Sequence, residues 1–335
     1  MPATIRDVAR EANVGVGTVS RVLNNSPSVR EETRQKVLAT IESLNFTPNP
    51  IARRLSTGQT LTIGVVLPYL TLPSCIERLR GVQKVLTDSK YDLVLFDIEN
   101  PEQRDAYFKN MTIKSRVDGV LLISLPPSDE QAQKFSTSNI SSVLIDAFHP
   151  DLCCVYPDDI QGGKIATRHL IDLGHKKIAY LSDYLSTPFH PSMSLRYQGY
   201  RQVLNEEGLA FNPEYQVEGD KGRGHARDMA KKLLSINDPP TAIFAASDTQ
   251  AIGILDAAQE MNIQVPGELS VIGYDDIRDA AYVNLTTINQ QLDQSGIEGA
   301  QMLLGMLANS NESNQCKKKL SVELVIRRTT GQIVQ

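Results

Sequence analysis

The sequence predicts an α/β protein of two unlike parts: an N-terminal all-α helix-turn-helix head with a hinge helix, then a two-lobe body of parallel sheets flanked by helices. Three observations carry this. The first 48 residues hold three short helix patterns with apolar stripes, and a Gly-containing turn leads into the second. From Leu61 the pattern changes to Val-, Ile- and Leu-rich runs separated by longer helical stretches, the mark of parallel strands covered on both faces. The charge divides at the same place: residues 1–60 carry eight Lys/Arg against five Asp/Glu, and the remainder carries 26 against 34. A basic head on an acidic body directs a polyanion such as DNA to the head.

Thr4-Ile5-Arg6-Asp7 opens the head as a capped helix start, with the Thr4 hydroxyl placed to accept an early backbone N–H and Asp7 near the positive helix end. Ile5, Val8, Ala9 and Ala12 form one apolar stripe, and Asn13-Val14-Gly15 turns the chain. In the second helix, Val16 to Leu23, Val19, Val22 and Leu23 pack inward while the other face is small, polar or basic. That face suits an edge-on approach to base pairs: Arg21 can bond guanine in bidentate fashion, and Thr18 and Ser20 can reach phosphates or bases. Two short helices joined by such a turn form a helix-turn-helix. Ser28-Val29-Arg30-Glu31 repeats the capping pattern ahead of a third helix striped by Val37, Ile41 and Leu44.

Asn49-Pro50 is an N-cap and first-turn pair, followed by Ile51-Ala52-Arg53-Arg54-Leu55 and stopped by Ser56-Thr57-Gly58. A helix this short is marginal alone, since isolated helices need about 12–15 residues in water, and it is expected to fold on DNA. Leu55 would wedge a base step open from the minor groove while Arg53 and Arg54 follow the phosphates.

T-I-R-D-V-A-R-E-A-N-V-G-V-G-T-V-S-R-V-L-N, followed by N-P-I-A-R-R-L, resembles the head and hinge of the LacI/GalR family of bacterial transcription regulators, and the likeness continues over nearly the whole chain. The resemblance implies a ligand-responsive, sequence-specific repressor of carbohydrate-related genes. It would act as a homodimer on double-stranded operator DNA with an inverted repeat, under control of a sugar or sugar derivative. Thr4, Val16, Gly17, Thr18, Ser20, Arg21, Asn24, Asn49, Ala52, Arg53 and Leu55 are the implied DNA contacts. Val16 and Gly17 occupy the variable base-reading positions, and Gly15 departs from the family by replacing a frequent capping serine.

In the body, strands are expected at Leu61–Leu67, Tyr91–Phe96, Gly119–Ile123 and Ser142–Ile145, then near Lys177–Leu181, Tyr215–Val217, Ala242–Ala245 and Ser270–Ile272. Helices near Ile160–Asp172, Leu195–Glu207, Arg223–Leu234 and Thr249–Met261 separate the second set, with a late helix Leu292–Leu307 and a final strand Val322–Ile326. The resemblance implies a periplasmic-binding-protein-like body in which the chain crosses between lobes three times. The domains are then 1–48, 49–60 and 61–330, with lobe 1 at about 61–159 and 291–318 and lobe 2 at about 160–290 and 319–330. Lys317-Lys318-Lys319 reads as a solvated connection rather than a second nucleic-acid contact.

Open α/β sheets place ligands beyond the carboxyl ends of their strands. Tyr69, Ser124, Asp146, Arg196, Lys221, Ser247, Asp248, Asp275 and the crossover residue Gln290 are therefore the candidate effector contacts. Arg196 in L-R-Y-Q-G-Y and Asp275 in V-I-G-Y-D-D-I match the family's ligand-binding arginine and aspartate, and Asp248 has a second reading as a helix cap. Many relatives have an aromatic near the position of Lys221. A cation there, beside Arg196, favours an anionic ligand, unless Lys221 snorkels to solvent from a loop.

Enzyme readings find little purchase. Asp275-Asp276 is an adjacent pair, whereas glycosidase carboxyls stand apart across a bond. The five histidines lack H-E-x-x-H spacing, and neither G-x-G-x-x-G nor G-x-x-x-x-G-K-S/T occurs. No metal and no cofactor is expected, and Cys75, Cys153, Cys154 and Cys316 read as reduced thiols. No apolar run approaches the roughly 18 residues of a membrane span, so a cytoplasmic protein with no membrane partner is expected. A sugar-binding module, or a carbohydrate-processing enzyme without a regulatory role, is the alternative.

Overall fold

The computed structural model describes residues 3–24, 26–47, 59–111, 116–138, 140–186, 191–308 and 316–333. It divides into two compact units, Met1–Thr60 and Leu61–Gln335.

The first unit has three helices, α1 (Ile5–Glu11), α2 (Val16–Leu23) and α3 (Glu31–Ser43). Thr4 and Asp7 form a reciprocal capping box at α1, in which Thr4 Oγ1 accepts the Asp7 N–H and the Asp7 carboxylate accepts the Thr4 N–H. The hydroxyl bond from Thr4 leads the contacts that draw the Asp7 carboxyl below its ordinary range. Gly15 caps α2 with no side-chain bond. At α3 the expected Ser28 cap is not formed: the helix starts from Arg30, also without a side-chain cap, and the Ser28 hydroxyl meets that of Ser26 at 2.9 Å. Val8, Ala9, Ala12, Val19, Val22 and Val37 close a small core, with Ile41 and Leu44 packed against it.

The second unit begins with β1 (Thr62–Pro68), α4 (Pro73–Thr87), β2 (Asp92–Ile98), α5 (Pro101–Met111), β3 (Gly119–Ile123), α6 (Asp129–Thr137), β4 (Ser141–Ile145) and β5 (Cys153–Pro157). It continues with α7 (Asp159–Asp172), β6 (Ile178–Asp183), α8 (Ser192–Glu206), β7 (Gln216–Gly219), α9 (Arg223–Leu234), β8 (Ala242–Ala245), α10 (Asp248–Glu260), β9 (Ser270–Asp275), α11 (Arg278–Tyr282) and β10 (Thr286–Asn289). It ends with α12 (Leu292–Ala308), β11 (Lys317–Leu320) and β12 (Glu323–Val325). Two six-stranded sheets result, in the orders β11-β5-β4-β3-β1-β2 and β12-β10-β9-β8-β6-β7. Every pairing is parallel except β10 with β12. Because β3 is buried at every position, as is β9, helices must cover both faces, as continuous apolar runs require.

The chain passes between the sheets three times: after β5, after β10, and between β11 and β12. Lys319 and Leu320 still pair with Tyr156 and Pro157, so the last passage lies just beyond the boundary drawn at 318/319. The lysine run is thus not a loose connection. Its three lysines line an outermost strand of the first sheet, where Lys318 pairs with Glu298 at 2.6 Å and Lys319 with Asp158 at 2.5 Å. Lysine on an edge strand also discourages pairing with foreign strands. Strands β5 and β10 were not anticipated, being short runs without a clear period.

Several helix pairs touch backbone to backbone, two of them behind an arginine of the cavity wall. A Cβ on Gly296 of α12 would collide with the Arg78 carbonyl of α4, and one on Gly163 of α7 would collide with the Arg196 carbonyl of α8.

Candidate functional site

On the head, α2 presents one face outward. Val16 is 42% exposed, Gly17, Arg21 and Asn24 are exposed, and Thr18 and Ser20 are half-buried, while Val19 and Val22 on the opposite side fill the core. The helical period of 3.6 residues explains the division. A Cβ on Gly17 would meet nothing within 4 Å, so a major-groove edge can approach there. Thr4 is exposed, with its hydroxyl held by the Asp7 carboxylate at 2.6 Å. Asn49, Ala52, Arg53 and Leu55 lie outside the described residues.

In the body, a small cavity has walls from both lobes. On one side stand Ser74 and Arg78 of α4 and Asp146, which follows β4. On the other stand Asp183, Arg196, Lys221, Ser247 and Asp275, with Gln290 of the crossover closing the ring. The backbone explains how strand ends aim these side chains: Asp146 has φ 59° and Asp275 φ 118°, left-handed values that turn the chain sharply as it leaves a strand. Tyr69 and Ser124 take the same turn after β1 and β3, at φ 48° and 54°. The room is about 40 Å³, space for a few waters rather than a sugar ring, so a ring-sized guest requires the walls to part.

Arg196 is 2% exposed and engaged by its own lobe, to which Asp159 belongs as the first residue of α7, one residue ahead of the boundary drawn at 159/160. Its Nε donates to Asp159 Oδ1 at 2.8 Å and its Nη1 to the Ala246 carbonyl at 2.6 Å. Asp275 Oδ1 lies 3.5 Å away, and the guanidinium stacks 3.7 Å from the centre of the Tyr274 ring. Burial opposes its charge, but Asp159 and Asp275 outweigh that and hold the pKa above the ordinary arginine value. Burial pushes the Asp275 carboxyl up to about 6 against the pull of Arg196 and Arg78. It raises Asp159 too, with Arg196 opposing.

In the other lobe, Arg78, also 2% exposed, donates to Gln290 Oε1 at 2.9 Å and lies 2.8 Å from Asp146 Oδ1. Ser124 stands behind, its hydroxyl donating to Asp146 Oδ2 at 2.5 Å. Gln290 reaches across to donate to Asp275.

Not all the expected contacts line the cavity. Asp146, Arg196, Lys221, Ser247, Asp275 and Gln290 do, whereas Tyr69, Ser124 and Asp248 do not. Ser124 orients Asp146, and Tyr69 lies under Lys221. Asp248 is wholly buried and turned into its own lobe, where it accepts the Ile277 N–H at 2.9 Å and the Thr287 hydroxyl at 2.5 Å. Nor is Asp248 the helix cap, a part taken by Ser247, which accepts the Gln250 N–H at 3.4 Å. Burial, with Asp275 nearby, pushes the Asp248 carboxyl far up. Sequence reasoning missed Arg78, Asp159 and Asp183. Arg78 did leave a signal, because it interrupts the buried stripe Cys75, Val82 and Leu86 of α4 at helical spacing.

Residues 4–49 match the family profile of bacterial regulatory proteins, lacI family, and residues 167–330 match that of a periplasmic binding protein-like domain. Catabolite control protein A of Priestia megaterium is 34% identical over 307 residues, 90% of this chain and 92% of that protein. The ribose operon repressor of Escherichia coli (strain K12) is 37% identical over 302 residues, 88% of this chain and 90% of that one. Among solved structures, a lac repressor dimer bound to operator and the anti-inducer ONPF has a TM-score of 0.86 at 28% identity, covering 99% of this chain and 100% of that chain. With likeness of this degree running through head and body alike, the chain belongs to the lacI family of bacterial regulatory proteins.

Proposed function

We propose that the chain is a cytoplasmic transcriptional repressor, a homodimer that reads an inverted-repeat operator through α2 and releases or tightens it when a small sugar-like effector occupies the inter-lobe cavity. The observation that carries the reading is the pairing of an outward, partly basic α2 face with a polar cavity walled by both lobes, whose closure a ligand must change. A ligand that binds two lobe arrangements unequally shifts their populations, the general requirement for control at a distance. Exposed Val94 and Leu95 on the outermost strand β2, and Tyr282 on α11, offer apolar surface to a second copy. Non-catalytic use of the acid pair is favoured because Asp276 is tied to Arg327 at 2.6 Å and Asn289 at 2.8 Å, while Asp275 is tied to Gln290.

The test is selection of binding sites from a random DNA library, which should return an inverted repeat. Arg21→Ala should then lower affinity by about 1–3 kcal/mol and relax preference at one position of each half-site. Recovery of sites with no shared sequence, or full preference retained by Arg21→Ala, would remove this reading of the head.

A further inference from the structure

We propose that Lys221 seats a carboxylate or phosphate of the effector, so that the ligand of this chain is an anionic sugar derivative rather than a neutral sugar. The inference rests on reading the cavity as the effector site.

Lys221 leaves the loop after β7, and its amine is buried without any hydrogen-bond partner. It does not run out to solvent. The amine lies over the Tyr69 ring of the other lobe, 3.8 Å from nitrogen to ring centre, which places it on the seam where the lobes meet. A ring face is a weaker counterpart for a cation than a carboxylate. The other two cations in the walls are already matched: Arg196 by Asp159, Asp275 and the Ala246 carbonyl, and Arg78 by Asp146 and Gln290. An arriving anion therefore gains most at Lys221.

The electrostatics agree with the geometry. Burial lowers the Lys221 pKa, with Asp183 pulling the other way, so the amine is held at a disadvantage that a second anion would relieve. Asp183 is itself committed to the Gln250 amide at 2.7 Å. The walls hold Arg78, Arg196 and Lys221 against Asp146, Asp183 and Asp275, an even balance that does not repel a further negative charge.

A second unsatisfied atom defines the rest of the ligand. Asp146 Oδ1 has Arg78 beside it at 2.8 Å but no bond of hydrogen-bonding geometry. It is an acceptor waiting for a hydroxyl. An acid group at one end and hydroxyls at the other describe a sugar acid or a sugar phosphate.

The experiment uses the full chain and its Lys221→Met and Lys221→Arg variants, each first shown to melt as the parent does without ligand. Tm is followed with D-gluconate, D-ribose 5-phosphate and inorganic phosphate against D-glucose and D-ribose at matched ionic strength. At least one anion should raise the Tm of the parent more than its neutral counterpart does. Its affinity should fall about tenfold or more in Lys221→Met, the scale of one lost charge-assisted bond, and be largely kept by Lys221→Arg. The proposal is overturned if the neutral sugars stabilise as well as the anions, if Lys221→Met binds an anion as the parent does, or if none of the three anions moves the Tm. Affinity for selected operator DNA, measured on the same samples, separates the two claims. A neutral sugar that shifts DNA affinity equally in parent and Lys221→Met sinks the anion seat alone. An anion that stabilises through Lys221 without touching DNA affinity sinks the regulatory reading of the cavity.

Discussion

Each lobe drives one arginine into the cavity wall, and the two satisfy it differently. Arg196 is closed in by partners of its own lobe, with Asp159, Asp275, the Ala246 carbonyl and the Tyr274 ring around it. Arg78 has Asp146 and, at 3.4 Å, the Ser74 carbonyl in its own lobe and Gln290 on the crossover; its Nε has no hydrogen-bond partner, nor has Asp146 Oδ1 a hydrogen bond. Arg196 is saturated before any ligand arrives, whereas the Arg78–Asp146 pair keeps donor and acceptor capacity in reserve, as the Lys221 amine does beside Arg196.

The largest effect should come from removing the saturated arginine. Arg196→Met leaves Asp159 and Asp275 buried without their cation, and removing one partner of a buried pair costs about 3–5 kcal/mol. Urea unfolding of the full chain should show a loss on that scale, and a loss below about 1 kcal/mol would mean that the pairing is not what holds this wall.

Arg78→Met should cost less, about 1–3 kcal/mol, because Asp146 keeps the Ser124 hydroxyl. Measured by the same unfolding series, a cost equal to that of Arg196→Met would erase the contrast between the lobes.

The smallest effect is a pH slope. Asp275 is raised from 3.8 to about 6 in the folded chain by burial, so the native state holds its proton more tightly than the unfolded state does. Its contribution favours folding below the unfolded value and is lost as pH rises through about 6. Between pH 4 and 6, therefore, this group makes stability fall with rising pH by roughly 1 kcal/mol or more. Asp275→Asn should flatten that part of the parent curve. Parallel curves would show that Asp275 is not the titrating group.

Much of this was legible in the sequence, and for a physical reason. The α2 face and the strand-end positions of Asp146 and Asp275 are set by period and by the rule that strand ends face the ligand, both of which are local, whereas Arg196, inside α8, stands out by the L-R-Y-Q-G-Y resemblance. What escaped depends on contacts distant along the chain. Asp248 looked like a cap and a wall residue, yet its oxygens go to Ile277 and Thr287, 29 and 39 residues on. The lysines of β11 looked solvated because their outward faces are, while the backbone pairs with β5, far back in the chain. Arg78 was visible as an interruption in an apolar stripe, but its partners Asp146 and Gln290 became known only from the fold.

The glycine contacts behind the two arginines have a consequence for how such a molecule changes its ligand. With Gly296 against the Arg78 carbonyl and Gly163 against the Arg196 carbonyl, each arginine-bearing helix is seated at backbone distance on a neighbouring helix. The two arginines thus start from closely seated helices, while Lys221 leaves the short loop between β7 and α9. New ligand preference can be written into that loop one residue at a time, with the arginine-bearing helices left where they are. A graft of residues 219–222 between relatives should move specificity as a unit, because the helices that carry the two arginines are seated without it.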